Sequence, residues 1–262
     1  MIKFKQILFK FRTHKKLTVI LLIMSLFLLI CVGGFFWSQK VWSDYDIRYN
    51  KHFDDIKINI NNTISQVTTE STSVYSEKLD ILINMQTKLI DDIDVHCKIN
   101  PIIKWQSFIG QYREKIDNCE SQKVKINQFL SKLSLVTDYL KSEHQLASII
   151  SIANEKTNQN NQADKWELIE SFWRQTIIDI NNLSDIEQFN TVKIIVTEKI
   201  TTMADIWKQL SDANKAQDME DFQNTNNELI KVYDSITEIS NVSKLQTEKL
   251  FADLNDSYEK LY

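Results

Sequence analysis

"WSDYDIRYNKHFDDIKININNTISQV", residues 42–67, is the stretch whose reading decides the fold. Trp42, Tyr45, Tyr49, Phe53, Ile56, Ile60, Ile64 and Val67 recur at steps of three or four, with charged and amide side chains filling most of the gaps. A half-buried strand repeats every two residues; a stripe spaced about 3.6 residues apart is the inward face of an α-helix. The stripe runs on through Val74, Leu82, Met85, Leu89 and Ile93, with Ser71 and Lys78 in two of its slots, so one helix is expected over residues 39–95.

Downstream of residue 40 the chain holds one glycine, Gly110, and one proline, Pro101. β-Hairpins depend on such turn residues, so their scarcity points to few, long helices. Breaks are expected at the window 96–119, at the asparagine-rich run NEKTNQNNQAD (154–164), and at DANKAQDMEDF, around 212–222, where Asp218 is placed as an N-cap with Asp221 in the first turn. NNLSDIE, residues 181–187, offers Ser184 and Glu187 as a capping box and reads as a bend. Helices are therefore expected over 39–95, 111–154, 165–214 and 218–260, the last three about 65 to 75 Å long. Similar lengths and short connections suit an all-α, elongated, antiparallel up-down four-helix bundle. An open dimeric coiled coil is the alternative, and a homo-oligomer is left open.

Upstream lies LTVILLIMSLFLLICVGGFFW, residues 17–37, which carries no charge. At about 1.5 Å per residue it spans about 31 Å, the thickness of a bilayer's hydrocarbon core. Lys3, Lys5, Lys10, Arg12, Lys15 and Lys16 precede it. The positive-inside rule puts residues 1–16 in the cytoplasm and 38–262 on the other side of a single-pass cell-membrane span. A cleaved signal would want a shorter apolar run and small residues at the cut, and a lipoprotein signal a small residue where Ile30 precedes Cys31. Trp37, Trp42, Tyr45 and Tyr49 can be read as interfacial rings or, for the last three, as bundle core. Six of the 31 basic residues and none of the 35 acidic ones lie in the basic tail, leaving 25 against 35, net about −10. That balance argues against a nucleic-acid partner.

The window HCKINPIIKWQSFIGQYREKIDNC, residues 96–119, combines Pro101, Gly110, Cys97 and Cys119. Pro101 stops one helix and can start another. If Gly110 bends the chain, a short cap folds over the far end of the rod and brings Cys97 to Cys119. A disulfide there closes a loop of roughly 22 residues, worth about 3 kcal/mol. Ile103, Trp105, Phe108 and Tyr112 on this distal cap are the candidate contacts for a protein partner. Two buried thiols, or a metal site with His96, are the alternatives, though one His beside one Cys is poor zinc spacing.

Neither metal nor cofactor is expected. His52, His96 and His144 lack the Glu-x-x-His spacing of di-iron bundles, no glycine-rich phosphate loop can be written, and Asp91, Asp92 and Asp94 read as a solvated face. Trp166, Phe172 and Trp173 read as core rather than as a ligand box. The expected function is that of a noncatalytic, membrane-anchored cell-envelope protein whose rod serves protein–protein interaction or scaffolding. The alternative is a sensory ectodomain. An anchor followed by antiparallel helices is similar in layout to the four-helix ligand-binding domains of bacterial chemoreceptors, which implies a bound ligand. Those receptors continue into a second membrane helix and a signalling region, so here a signal would need a separate membrane partner.

Overall fold

The structure, a computed structural model, describes residues 2–69, 75–96, 104, 106 and 109–261. Every element among them is helical: α1 (Ile2–Thr69), α2 (Tyr75–His96), α3 (Gly110–Gln159), a 3-10 turn (Ala163–Lys165), α4 (Trp166–Asn181), α5 (Glu187–Ala216) and α6 (Met219–Glu259). The chain divides into two compact units, residues 1–56 with 94–121 and residues 57–93 with 122–262.

The first unit is built on α1, which passes from the apolar segment into the amphipathic stripe without interruption. Gly33 and Gly34 lie inside the helix with ordinary negative φ, so they do not break it. The environment of the side chains changes instead. Leu29 is 69 % exposed, whereas Trp42 is 1 % exposed, and Tyr45, Tyr49, Phe53 and Ile56 are buried with it. The long apolar helix near the N-terminus is thus one with its apolar side chains unpacked, which is compatible with a membrane anchor.

In the second unit Ile60, Ile64, Val67, Leu82, Met85 and Leu89 are buried, as the stripe requires. Val74 and the side chain of Ile93 lie outside the described residues. So do residues 70–74, within the helix expected to run unbroken over 39–95; α1 is described to Thr69 and α2 from Tyr75. Phe129, Leu133, Val136, Leu140 and Leu146, the apolar stripe of α3, face inward, joined by Tyr139, whose ring meets Phe189 of α5 edge-on at 5.6 Å.

Two boundaries differ from expectation. The asparagine-rich run does not end α3 at residue 154. Ala153 and Thr157 are buried, Gln159 bonds Glu155, and the Asn160 amide donates to the Lys156 carbonyl, so packing and local hydrogen bonds carry the helix to Gln159.

The larger correction concerns the rod expected over 165–214. It is a helical hairpin. α4 ends at Asn181, and α5 begins after Ile186, an extended N-cap with no side-chain bond, so the Ser184–Glu187 capping box is not used. Lys215 pairs with Glu167, Arg174 with Asp205, and the Lys193 ammonium donates to the Asn181 and Leu183 carbonyls at 3.0 and 3.1 Å. Partners that climb along α4 while descending along α5 mean that the two run antiparallel. These ion pairs are exposed and add little stability; their value here is that they fix the register. Ile169, Trp173 and Ile180 on α4, and Phe189, Val192, Val196, Ile200, Met203 and Trp207 on α5, supply the buried contacts.

α5 closes with Asp218 N–H bonded to Ala213 O and Gln217 N–H to Asn214 O, a Schellman arrangement that puts Gln217 at φ 58°, ψ 29°. Asp218 caps α6 by accepting from the Glu220 and Asp221 amides at 3.1 and 3.0 Å, as its sequence position implied. Left-handed backbone disfavours a side chain with a Cβ by about 1–2 kcal/mol. Gln217→Gly is therefore expected to raise stability by about 0.5–1 kcal/mol, after the greater freedom of glycine in the unfolded chain is counted. Chemical denaturation checks this; an unchanged or lower midpoint contradicts it.

The apolar spacing over 218–260 marks Leu229, Ile239, Leu245, Leu250, Leu254 and Tyr258 for the core; on α6 all of these are buried except Leu245, which is 65 % exposed. The buried face passes through Ser243 instead, and Leu245 sits about 200° further round the helix.

Candidate functional site

The window 96–119 was expected at the far end of the rod from the apolar segment. The first unit places its described part beside the point where that segment ends. Ser38, the first residue after it, is 2 % exposed and donates its hydroxyl to Gln106 Oε1 at 2.5 Å. Trp42 Nε1–H donates to the same oxygen at 2.9 Å. Tyr112 lies flat on Trp42, with centroids 4.6 Å apart and planes 6° apart. Ser38 and Gln106, 68 positions apart, thus meet within the first unit.

Around this contact the aromatic stripe of α1 forms a column. Trp42 meets Tyr45 edge-on at 5.7 Å, Tyr45 stacks on Tyr49 at 6.1 Å, and Tyr49 on Phe53 at 6.3 Å. Val41, Ile109 and Ile116 pack on the Trp42, Tyr45 and Tyr112 core, and Lys115 bonds Asp46 at 2.8 Å. The Tyr45 and Tyr49 hydroxyls are buried without a hydrogen-bond partner among the described residues. Burial pushes Tyr49 up to about 12, with Tyr45 and Asp46 adding to it; burial also raises Tyr45, helped by Glu120 and Asp46. Of the four rings that could be read as interfacial, Trp37 is exposed, whereas Trp42, Tyr45 and Tyr49 are core.

Of the residues singled out in the sequence, Tyr112 is buried against Trp42 and so is not an exposed contact. Ile103, Trp105, Phe108 and Cys97 lie outside the described residues. Cys119 is 1 % exposed and disulfide-bonded; its expected pairing with Cys97 is taken up below as a proposal. Sequence reasoning missed Ser38 and Gln106. An isolated serine and glutamine carry no periodic signal, and only their meeting 68 positions apart gives them a role.

The second unit holds two polar features. An open groove of about 480 Å³ is lined by His144, Gln145, Ser148 and Ile149 of α3 and by Asn182, Leu183 and Ser184 of the α4–α5 turn. Deeper in, Ser243 of α6 donates to Glu143 Oε1, and the Tyr139 hydroxyl lies 3.3 Å from Ser243 Oγ. The second Glu143 oxygen is buried without a partner among the described residues, and burial raises this carboxyl above its usual range, partly offset by the Ser243 bond. A carboxyl raised by folding stabilises fully below its unfolded value of about 4.5, and that contribution is lost as pH rises through the folded value. At neutral pH Glu143 therefore carries a cost that glutamine removes while still accepting from Ser243. Glu143→Gln is expected to raise the melting temperature at pH 7 by about 1–3 °C and to narrow the gap between pH 4 and pH 7. A lower melting temperature at pH 7 contradicts this.

Trp166, expected as core, is half-buried and stacks on Phe222 of α6 at 5.5 Å, with Trp207 at 6.4 Å; Trp173 is fully buried; Phe172 is half-buried beneath the Lys156 ammonium at 5.3 Å. Comparison with protein-family models, with curated proteins and with solved structures finds no match to this chain.

Proposed function

We propose that the chain is a noncatalytic, single-pass cell-envelope protein, anchored by residues 17–37, whose helices outside the membrane form an up-and-down bundle offered to a protein partner. The observation that carries this reading is the abrupt change along α1 from Val19–Trp37, all apolar or small and exposed, to a packed aromatic column that starts at Trp42. A soluble helix has no use for 19 such residues in water. The basic tail ahead of the segment supports a cytoplasmic N-terminus, and a disulfide at Cys119, in our reading to Cys97, suits the oxidising side. Ile103, Trp105 and Phe108 are the contact candidates. The topology is tested by protease treatment of intact cells carrying terminal tags. The reading requires digestion of the C-terminal tag and protection of the N-terminal one; the reverse pattern rejects it. Crosslinking on intact cells with mass spectrometry identifies the partner.

The groove at His144 and Asn182 favours a second reading, a sensory ectodomain that signals through a separate membrane partner. Thermal stabilisation by a small molecule that Asn182→Ala abolishes would support it, and a response to protein partners alone would count against it.

A further inference from the structure

The described residues around Gln106 stand close to the end of the apolar segment. Along the α1 axis, Trp42 lies about 7.5 Å beyond Trp37, and the headgroup layer of a bilayer adds about 5–7 Å to each side of its hydrocarbon core. Gln106, bonded to Ser38 about 1.5 Å past Trp37 as well as to Trp42, is thereby held at headgroup level, and Tyr112, stacked on Trp42, at the outer edge of that layer. This step rests on the anchor reading above. Two cations flank the contact in sequence, Lys40 two positions after Ser38 and Lys104 two before Gln106, and both are exposed. The next cations along are already engaged, Arg48 with the Asp44 carbonyl, Lys115 with Asp46 and Arg113 with Asp117. Along α1 the nearest carboxylate to Lys40 is Asp44, about 6 Å further from the membrane.

We propose that Lys40 and Lys104 form a cationic rim that holds anionic phospholipid headgroups, which makes Lys104, beside Gln106, a second point of membrane contact far in sequence from the anchor. The polar clasp from Gln106 to Ser38 and Trp42 sets its height against the bilayer, and the lysines supply the charge complementarity. Near an anionic surface each lysine is worth about fivefold in lipid preference.

The test uses the full chain in nanodiscs of phosphatidylcholine with phosphatidylglycerol. A ketone-bearing amino acid at Gly110, where a Cβ meets nothing within 4 Å, carries a fluorophore and leaves the cysteines untouched. The same fluorophore at Ile23 is read separately against quenchers in the acyl chains. Quenching at 110 by headgroup-labelled phosphatidylglycerol is expected to exceed that by headgroup-labelled phosphatidylcholine, and Lys40→Gln with Lys104→Gln is expected to erase the difference, about fivefold per lysine. Quenching at 23 without quenching at 110, or without a preference for the anionic lipid, overturns the inference and leaves the anchor standing. No acyl-chain quenching at 23 overturns both.

Discussion

Trp42→Ala is expected to cost about 3–5 kcal/mol, the range for emptying a fully buried aromatic site. Three losses coincide at this residue. Its 1 % exposure means that nearly the whole indole leaves a cavity; the flat stack on Tyr112 and the edge contact with Tyr45 vanish; and Gln106 Oε1 keeps only the Ser38 hydroxyl as donor. Trp42→Phe separates these terms. It removes the N–H and the five-membered part of the indole but keeps a six-membered ring in the stack, a change of about 1–3 kcal/mol, so the alanine variant should be clearly worse. Hydrogen exchange localises the damage. Protection should fall in residues 38–50 and 109–121 and hold in α4 and α5, which belong to the other compact unit. Equal effects of the two substitutions, or loss of protection in α5 before α1, would contradict the clasp.

The second large effect concerns retention in the membrane. Leu26 and Leu29 sit near the middle of the apolar segment, 60 % and 69 % exposed. A charged side chain at that depth costs about 2.5–3.5 kcal/mol on insertion scales, so Leu26→Arg with Leu29→Arg removes most of the drive to span a bilayer. The protein should move from the carbonate-resistant membrane fraction to the soluble fraction. Release of the unaltered chain by carbonate would show that this helix is not an integral anchor.

Much of this was legible in the sequence, for reasons that differ by residue. The stripe from Trp42 to Val67 announced both the helix and its buried face because helical period and burial are the same signal. Asp218 announced its cap because a carboxylate three residues ahead of a first-turn amide has few other uses. What a stripe cannot state is which helix it will face. Both arms of the α4–α5 hairpin carry apolar positions of the same period, and NNLSDIE has neither glycine nor proline, so nothing local separates a bend from a full reversal. The backbone turns there anyway because Ile186 adopts an extended conformation and Lys193 satisfies the exposed carbonyls of α4. Ser243 displaced Leu245 from the inward face because its hydroxyl answers Glu143 and Tyr139, a pairing across helices that spacing along one helix does not register. Pro101 and Gly110 marked residues 96–119 as a break in the sequence, but neither residue says which part of α1 the window packs against.

The central claim is that Gln106 and Tyr112 lie beside the exit of the apolar segment. The distance between nitroxides at positions 40 and 110, measured by pulsed electron resonance on the full chain in nanodiscs, tests it most directly. With Gln106 bonded to Ser38 and Tyr112 stacked on Trp42, the labels should lie within about 25 Å. A turn at the far end of α1 would put them about 45 Å apart or more, and a distribution centred there would contradict the account.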